Sequence, residues 1–388
     1  MNSHYDIVVI GGGIHGAGVA QAAAAAGYSV LALEKTALAA GTSSRSSKLI
    51  HGGLRYLESG RLRMVRESLH ERAVLLRIAP ELVRLVPFYL PIYPDTRRRP
   101  WQIAAGLSLY ALLGGLARDN RFVRVPRAEW DDLEGLDMHR LQCVFRYYDG
   151  QTDDATLTRA VMRSAQSLGA ELRMPANFVG ARRSGGAWHV DYLDNGKPVS
   201  CSATVVANAA GAWANDVLAH IEPRPPLLPI ELVQGTHIVL DTPARRGVYY
   251  VEASDGRAVF VMPWRNKTLV GTTETKVEGD PAAVAPQAQE IAYLENLYRR
   301  YFPGKMPAIV ERFAGVRVLP GGGNSVFHRS REVIFLPDDP QRPSLVTIYG
   351  GKLTSYRPTA ACTLALLRAS LPQRRSKLDT ATLMLRAV

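Results

Sequence analysis

The feature that most constrains the fold of this chain is a set of three glycines near the amino terminus, spaced as Gly-x-Gly-x-x-Gly. These glycines are Gly11, Gly13 and Gly16. An apolar, β-branched segment over residues 5–10 precedes them, and an alanine-rich segment over residues 17–26 follows, which predicts a strand, a tight turn and a helix. A second apolar strand is predicted over residues 29–33 and ends at Glu34. This unit predicts a Rossmann-like α/β domain that binds a dinucleotide.

Each part of the unit has a role in holding a dinucleotide. Gly11 permits the turn, Gly13 lets the main chain approach a pyrophosphate, and Gly16 allows the helix to pack closely on the strand. The amino terminus of the predicted helix offers free N–H groups and the positive end of the helix dipole to the phosphates, and Ile14 in the turn before it is included in the site. The Glu34 carboxylate is placed to accept hydrogen bonds from a ribose, and its charge would repel the 2′-phosphate of NADP.

The glycine pattern alone does not distinguish FAD from NAD. The unit lies at the extreme amino terminus and no second pattern of this kind follows, which indicates one tightly held dinucleotide. A flavin enzyme also needs a separate substrate region that covers the isoalloxazine ring, and the rest of the chain is long enough to supply one. The sequence therefore favours FAD, with Lys35 beside Glu34 included in its site.

Composition restricts the class of protein. A chain of 388 residues with 47% hydrophobic and 21% charged residues is typical of a globular protein of two or three domains. Its three cysteines are widely spaced, so no metal site or disulfide framework is predicted, and a cytoplasmic location is favoured because no basic leader precedes the first strand. The net charge of +12 favours anionic partners or reflects an arginine-rich genome; no nucleic-acid motif accompanies it.

A second polar segment, residues 41–56, combines hydroxyls, cations and a histidine. Its candidate pyrophosphate ligands are Thr42, Ser43, Ser44, Ser46, Ser47 and Lys48. His51 can accept a proton from a hydroxyl, and Arg55 can hold an anion. The alternative is a solvated loop that begins the next helix, and composition alone does not decide between these interpretations.

Five motifs in order along the chain resemble those of the FAD-dependent glycerol-3-phosphate dehydrogenases. The motifs are GGGIHGAGVA, SSKLIHGGLRYLE, GTTE, GVRVLP and GGKLTSYRPTA, and they extend from Asp6 to Ala360. The resemblance implies the glutathione-reductase-like and D-amino-acid-oxidase-like flavoprotein fold. This fold is α/β, with a Rossmann-like FAD-binding domain and an inserted α+β substrate domain built on an antiparallel sheet. The discontinuous FAD domain is predicted over residues 1–80, 151–225 and 312–388, and the substrate domain over residues 81–150 and 226–311.

The chain also departs from the family pattern. Gln21 stands where aspartate is usual, Ala26 where arginine is usual, and His15 where asparagine is common. Only residues 361–388 follow Ala360, where family members usually continue with a helical domain of about a hundred residues, a typical small-domain size. We therefore expect the chain to lack that helical domain.

The resemblance implies roles for particular residues. His51 or His237 would be the general base, because a neutral imidazole has suitable basicity near pH 7. Arg317, Arg55 and Tyr56 would bind the substrate, and Lys352 would hold its phosphate or stabilise negative charge on the reduced flavin. The remaining residues assigned to FAD are Gly52, Ala210, Gly211, Trp213, Gly351, Lys352, Leu353 and Thr354.

The implied reaction is oxidation of sn-glycerol 3-phosphate to dihydroxyacetone phosphate by hydride transfer to flavin N5, with electrons passed to a quinone. The basic and apolar segment at residues 97–127 indicates a membrane-facing surface, with a buried helix as the alternative, so the protein would lie on the cytoplasmic face of the inner membrane. Other interpretations are a soluble oxidase that passes electrons from a hydroxy acid, phosphorylated alcohol or amino acid to oxygen, and a non-catalytic flavin-binding interaction protein. The sequence leaves open whether the protein forms a homodimer.

Overall fold

The structure is a computed structural model that describes residues 3–321 and 332–387. The helices in these ranges are α1 Ile14–Ala25, α2 Leu62–Ile78, α3 Pro100–Leu113, α4 Asp154–Ser167, α5 Ala214–Ala219, α6 Ala288–Tyr301 and α7 Tyr356–Leu367. The strands are β1 His4–Ile10, β2 Val30–Leu33, β3 Leu49–Ile50, β4 Val83–Ile92, β5 Val123–Arg124, β6 Cys143–Thr152, β7 Glu171–Arg173, β8 Ala176–Ser184, β9 Ala187–Asp194, β10 Lys197–Asn208, β11 Ile221–Glu222, β12 Ile230–Leu240, β13 Val248–Glu252, β14 Ala258–Trp264, β15 Lys267–Gly271, β16 Thr275–Val277, β17 Ile309–Pro320, β18 Ile334–Pro337 and β19 Leu345–Tyr349.

The first sheet contains the predicted dinucleotide unit at its centre. Its parallel part runs in the order β7, β2, β1, β10 and β19, and β18 pairs antiparallel with β19. The strand β9 pairs antiparallel with the first half of β10, and β8 and then β11 continue the sheet outward from β9. Apolar clusters cover both faces of the central strands, as expected where a parallel sheet is buried between layers.

The helix α1 follows β1 directly through the glycine turn. It begins at Ile14, three residues before the alanine-rich segment from which the helix was predicted. Gly16 therefore lies inside its first turn. Its small side chains let it pack against both α4 and α7. The amino terminus of α1 is thereby held at the carboxyl end of β1, where Rossmann-like folds bind their ligands.

The second sheet is mixed and mostly antiparallel. Its strand order is β16, β12, β15, β14, β13, β4, β6 and β3, with β17 also paired to β12 and β5 to β6; β13 and β4 are parallel. Two apolar clusters cover its faces. The predicted domain boundaries stay a prediction. Both β3 and β17 lie in this second sheet, although β3 falls wholly and β17 mostly within the ranges assigned to the FAD domain.

The segment expected to face a membrane contains α3. Its buried side chains are Leu107, Tyr110 and Ala111, while Trp101 is 71% exposed. One narrow face of this helix therefore packs on the second sheet, and the rest of the helix is exposed or partly exposed. Within residues 3–321 and 332–387, no helix has the length and apolar character needed to span a bilayer.

Candidate active site

The glycine turn is packed so tightly that side chains are excluded from it. A Cβ on Gly16 would lie 1.8 Å from the Gly11 carbonyl oxygen, and a Cβ on Gly11 would lie 2.6 Å from the Ala209 carbonyl oxygen. Gly11 also has a φ of +111°, a conformation that favours glycine. The turn thus brings the main chain of β1, α1 and the end of β10 together, and Ala210 and Gly211 follow there.

The serine-rich segment closes over the amino terminus of α1. The Ile14 N–H donates a hydrogen bond of 2.9 Å to Ser43 Oγ, and a Cβ on Gly13 would lie 3.2 Å from the same oxygen. Thr42 donates to the Val316 carbonyl at 2.5 Å, which ties the segment to β17. The structure therefore places Gly13, Ile14, Thr42 and Ser43 around one helix terminus, as a pyrophosphate site requires.

Glu34 is buried beside the glycine turn. Its Oε2 accepts a hydrogen bond of 2.7 Å from the Gly12 N–H, and its Oε1 accepts one of 2.8 Å from the Thr36 N–H. The Thr36 hydroxyl also donates to Oε1, at 3.1 Å, so the remaining acceptor capacity lies on Oε2. The side chain is thus held rigidly at the end of β2, with acceptor capacity left for a ribose hydroxyl.

Lys35 and Trp213 lie against each other beyond the end of β2. The Lys35 ammonium lies 3.9 Å from the centroid of the Trp213 ring, a cation–π contact. A Cβ on Gly41 would lie 3.5 Å from the same ring. The predicted FAD residues at the ends of β2 and β10 are therefore neighbours of the serine-rich segment.

The structure corrects the role predicted for Lys48 as a pyrophosphate ligand. Its Nζ lies 2.6 Å from the Asp154 carboxylate and also donates to the Ser44 carbonyl, and only 5% of the side chain is exposed. Ser46 is held in the same way, because its N–H donates to Asp154 at 2.9 Å. An ammonium neutralised inside the protein is not available to a phosphate, so we assign Lys48 a structural role.

A second group of predicted residues surrounds the partly exposed His51. The His51 N–H donates a hydrogen bond of 3.2 Å to Thr354 Oγ1, which joins this segment to the turn that contains Leu353. The Lys352 ammonium lies 4.0 Å from the Tyr56 ring centroid, and the Arg55 guanidinium lies 5.2 Å from the same centroid. Two cations therefore meet at one aromatic ring, and the main chain of the nearby His51 is bonded to the turn that precedes α7.

His237 lies on β12 and is almost fully buried. Its Nε2 is 3.0 Å from Ser47 Oγ, and its ring stacks on Phe313 with centroids 4.9 Å apart. Burial, followed by the nearby charges of Arg317 and Lys48, lowers the pKa of His237 to about 3. A pKa this low makes the imidazole a weak base, and its Nε2 already contacts Ser47 Oγ, so the more exposed His51 is the better candidate base.

Arg317 is on the same face of the second sheet as His237. It forms an ion pair of 2.9 Å with Glu274, and its own side chain is 24% exposed. A Cβ on Gly235 would lie 3.1 Å from its guanidinium, so the absence of a side chain at Gly235 leaves room for it. The carboxylate orients the guanidinium without burying it completely.

Sequence reasoning missed the aromatic floor that connects the two histidines. Directly paired residues in neighbouring strands form a row on one face of the sheet. The row is Tyr250, Phe260, Gly271, His237 and Phe313. The Phe260 ring lies 6.2 Å from the His51 ring, and a Cβ on Gly271 would collide with His237. The GTTE motif located Gly271, but nothing local in the sequence indicates that Phe260 and Tyr250 lie beside it.

The residues present fit an FAD molecule. A helix terminus with N–H donors, the Ser43 hydroxyl and the Glu34 acceptors lie in the order that pyrophosphate and ribose require. The turn at Gly351 lies against His15, whose Nε2 would be 2.1 Å from a Cβ there. Burial lowers the pKa of His15 to about 4, and its Nδ1 has no hydrogen-bond partner among the described residues. Such a buried polar atom is consistent with a ligand at this cleft.

Comparison with known proteins decides the family. The family model described as FAD dependent oxidoreductase (DAO) matches residues 6–357. The chain belongs to this family of FAD-dependent oxidoreductases. The resemblance drawn from the motifs, the α/β fold class and the FAD cofactor are therefore confirmed.

Relatives of this FAD-dependent oxidoreductase include two curated proteins with equal identity. D-erythritol 1-phosphate dehydrogenase of Brucella abortus is 38% identical over 381 residues, covering 95% of this chain and 74% of that protein. Glycerol-3-phosphate dehydrogenase of Pseudomonas aeruginosa is 38% identical over 378 residues, covering 94% and 72%. Among solved structures, glycerol-3-phosphate dehydrogenase from Bacillus halodurans complexed with FAD superposes with a TM-score of 0.77 at 26% identity, covering 98% and 68%.

Proposed function

We propose that this oxidoreductase oxidises the secondary alcohol of a small phosphorylated polyol, with sn-glycerol 3-phosphate as the first candidate and dihydroxyacetone phosphate as its product. The observation that carries the proposal is the pair of cations on Tyr56. Arg55 and Lys352 both lie within 5.2 Å of its ring centroid, and Arg55 and Tyr56 follow His51 closely along the chain. Guanidinium and ammonium groups form charge-assisted hydrogen bonds with phosphate oxygens, so two cations at one ring suit a phosphate dianion.

The proposed chemistry assigns one task to each group. His51 accepts the hydroxyl proton of the substrate, so that the carbinol carbon can release its hydrogen with the bonding electrons and become a ketone. FAD, when bound, supplies the hydride acceptor at flavin N5. Arg317 binds phosphate or a neighbouring hydroxyl from the sheet side, and the buried His237 supports this side of the site through its contact with Ser47.

The names of the relatives support a phosphorylated polyol but leave its length open. One is a D-erythritol 1-phosphate dehydrogenase and the other a glycerol-3-phosphate dehydrogenase, at the same identity to this chain. D-erythritol 1-phosphate, which carries one more hydroxymethylene group than glycerol phosphate, is therefore the second candidate substrate.

An anaerobic titration of the holoenzyme tests the proposal. Addition of sn-glycerol 3-phosphate is expected to bleach the oxidised flavin band and to yield dihydroxyacetone phosphate in equal amount. Bleaching by D-erythritol 1-phosphate alone would support a phosphorylated polyol as the substrate class and replace sn-glycerol 3-phosphate as the first candidate. A flavin that stays oxidised with both compounds, but is reduced by an amino acid or a hydroxy acid, would contradict the proposal.

We propose further that the electrons pass to a quinone at a membrane surface formed by α3. The outer face of this helix exposes Trp101 by 71% and Leu112 by 59%, and Leu116 beyond it is 56% exposed. Arginines flank both ends of the helix, at residues 97–99 and at Arg118, Arg121 and Arg124. An apolar face bordered by arginines suits an interface with anionic lipid.

Vesicle binding tests this surface. The holoenzyme is expected to co-sediment with vesicles that contain anionic lipid, and the double variant W101E/L112E is expected to lose most of this binding. Val310→Glu, at a position 49% exposed on β17, is the matched control because it adds a charge elsewhere. Equal binding by all three proteins, or rapid oxygen consumption with no quinone reduction, would contradict this part of the proposal.

A further inference from the structure

The main chain is hydrogen-bonded on both sides of the His51 Cα atom. Before it, the His51 N–H donates to Thr354 Oγ1 at 3.2 Å. After it, the Gly52 N–H donates to the Tyr110 hydroxyl at 2.9 Å. Because peptide groups are planar, fixing the two adjacent N–H groups restricts both φ and ψ of His51. The position of its imidazole then depends only on its side-chain torsions.

The Tyr110 hydroxyl is itself oriented by a buried carboxylate. It donates a hydrogen bond of 2.6 Å to Asp149 Oδ2, so its lone pairs are left for the Gly52 N–H. The other oxygen, Asp149 Oδ1, forms an ion pair of 2.5 Å with Arg72. Tyr110, Asp149 and Arg72 are each no more than 2% exposed. Burial also raises the pKa of Tyr110 well above its usual value, so the hydroxyl keeps the proton that it donates.

The close approach of these groups depends on two glycines. A Cβ on Gly52 would lie 2.5 Å from the Tyr110 hydroxyl, and a Cβ on Gly150 would lie 2.7 Å from the Ile50 carbonyl oxygen. Ile50 pairs with Gly150 in the second sheet, so β6 supports the segment before His51 through its main chain. It supports the segment after His51 through Asp149 and Tyr110.

We propose that Tyr110, oriented by Asp149, is a positioning residue for His51 in the proposed oxidation. The Tyr110 hydroxyl contacts the Gly52 N–H and the Asp149 carboxylate, so it acts on the peptide that carries the base. The inference rests on the proposed function, because it takes His51 as the group that accepts the substrate proton. A ring alone would fill the core at this position, as the neighbouring Tyr147 ring does at a centroid distance of 5.8 Å.

The variant Tyr110→Phe keeps the ring and removes the hydroxyl. We expect the rate constant of flavin reduction at saturating substrate to fall about tenfold or more, while the half-saturating substrate concentration stays within about twofold. Tyr147→Phe is the matched control, since it removes a hydroxyl from the same core but leaves the bond to Gly52 intact.

Amide hydrogen exchange provides a second measurement that does not depend on turnover. In the unmodified holoenzyme the Gly52 amide is expected to exchange slowly, and Tyr110→Phe is expected to accelerate it more than Tyr147→Phe does. Equal reduction rates in the two variants, or a rapidly exchanging Gly52 amide in the unmodified enzyme, would overturn the inference. Failure of the proposed function would appear differently, as an unmodified enzyme whose flavin no phosphorylated polyol reduces.

Discussion

The Lys48 ammonium lies 2.6 Å from the Asp154 carboxylate, with 5% and 0% of the two side chains exposed. The same ammonium lies 5.2 Å from the centroids of the Trp264 and Phe313 rings. This pair attaches the serine-rich segment to the start of α4. The segment that encloses the dinucleotide site is thus fixed by a charge pair rather than held loosely over the cleft.

Breaking this pair is expected to destabilise the protein strongly. Asp154→Asn leaves the Lys48 charge buried without its counter-ion, so the free energy of unfolding should fall by about 3–5 kcal/mol. Urea denaturation of the apoprotein measures this change. The matched control is Arg265→Ala, which removes a pair between Asp153 and a side chain that is 70% exposed and should cost less than about 1 kcal/mol. Similar losses in both variants would contradict the account of Lys48.

Loss of the Arg317 charge is expected to weaken substrate binding. Arg317→Gln should raise the KM for the phosphorylated substrate by about tenfold or more, because charge-assisted hydrogen bonds to phosphate each contribute about 1.5–3 kcal/mol. Steady-state kinetics with a quinone analogue measures this. Arg312→Gln is the control, since Arg312 is exposed and points to the opposite face of β17. An unchanged KM in Arg317→Gln would remove Arg317 from the substrate site.

The choice of base is tested by the rate of flavin reduction. His51→Ala should slow this reaction by about two to four orders of magnitude, the usual effect of losing a general base. His237→Ala should slow it much less, because burial and the neighbouring cations lower the pKa of His237 to about 3. Stopped-flow absorbance measures both rates, and photoreduction verifies that each variant still holds FAD. The reverse order of effects would make His237 the base.

The free energy of unfolding is expected to fall on acidification already at pH values higher than those at which carboxylates titrate. The unfolded chain binds a proton at His237 near pH 6.5, whereas the folded chain does so only near pH 3. The free energy of unfolding therefore rises with pH across this interval, with a slope of up to about 1.4 kcal/mol per pH unit. His15 contributes in the same sense, because its pKa is lowered to about 4.

His237→Gln tests this linkage, since glutamine cannot take up the proton. Urea denaturation of the apoprotein between pH 5 and pH 6.5 should show a smaller pH slope for this variant than for the unmodified chain. His139→Gln, on the surface, is the control. An unchanged slope in His237→Gln would show that this imidazole titrates normally in the folded protein.

The parts of the site that the sequence predicts are those whose determinants are local. The glycine turn, the start of α1 and Glu34 all lie within residues 5–34, and their packing follows from spacing alone. The motifs also brought His51, Arg55 and Tyr56 together, because Arg55 and Tyr56 share one short helical turn and His51 lies just before it.

The remaining features depend on long-range pairing. Lys48 and Asp154 are 106 positions apart, and Gly52 and Tyr110 are 58 positions apart. A lysine among serines carries no sign of the carboxylate that neutralises it, so composition favoured a phosphate ligand. The row from Tyr250 to Phe313 likewise requires the strand register of the second sheet, which no single segment specifies.

The most direct test of the central claim compares substrates with and without phosphate. The holoenzyme is mixed anaerobically with sn-glycerol 3-phosphate or with glycerol at equal concentration, and the oxidised flavin band is followed in a stopped-flow instrument. Loss of two charge-assisted hydrogen bonds should make glycerol slower by about two orders of magnitude or more. Rapid bleaching by the phosphate and not by glycerol is the predicted result. Equal rates, or bleaching only by amino acids, would contradict the account.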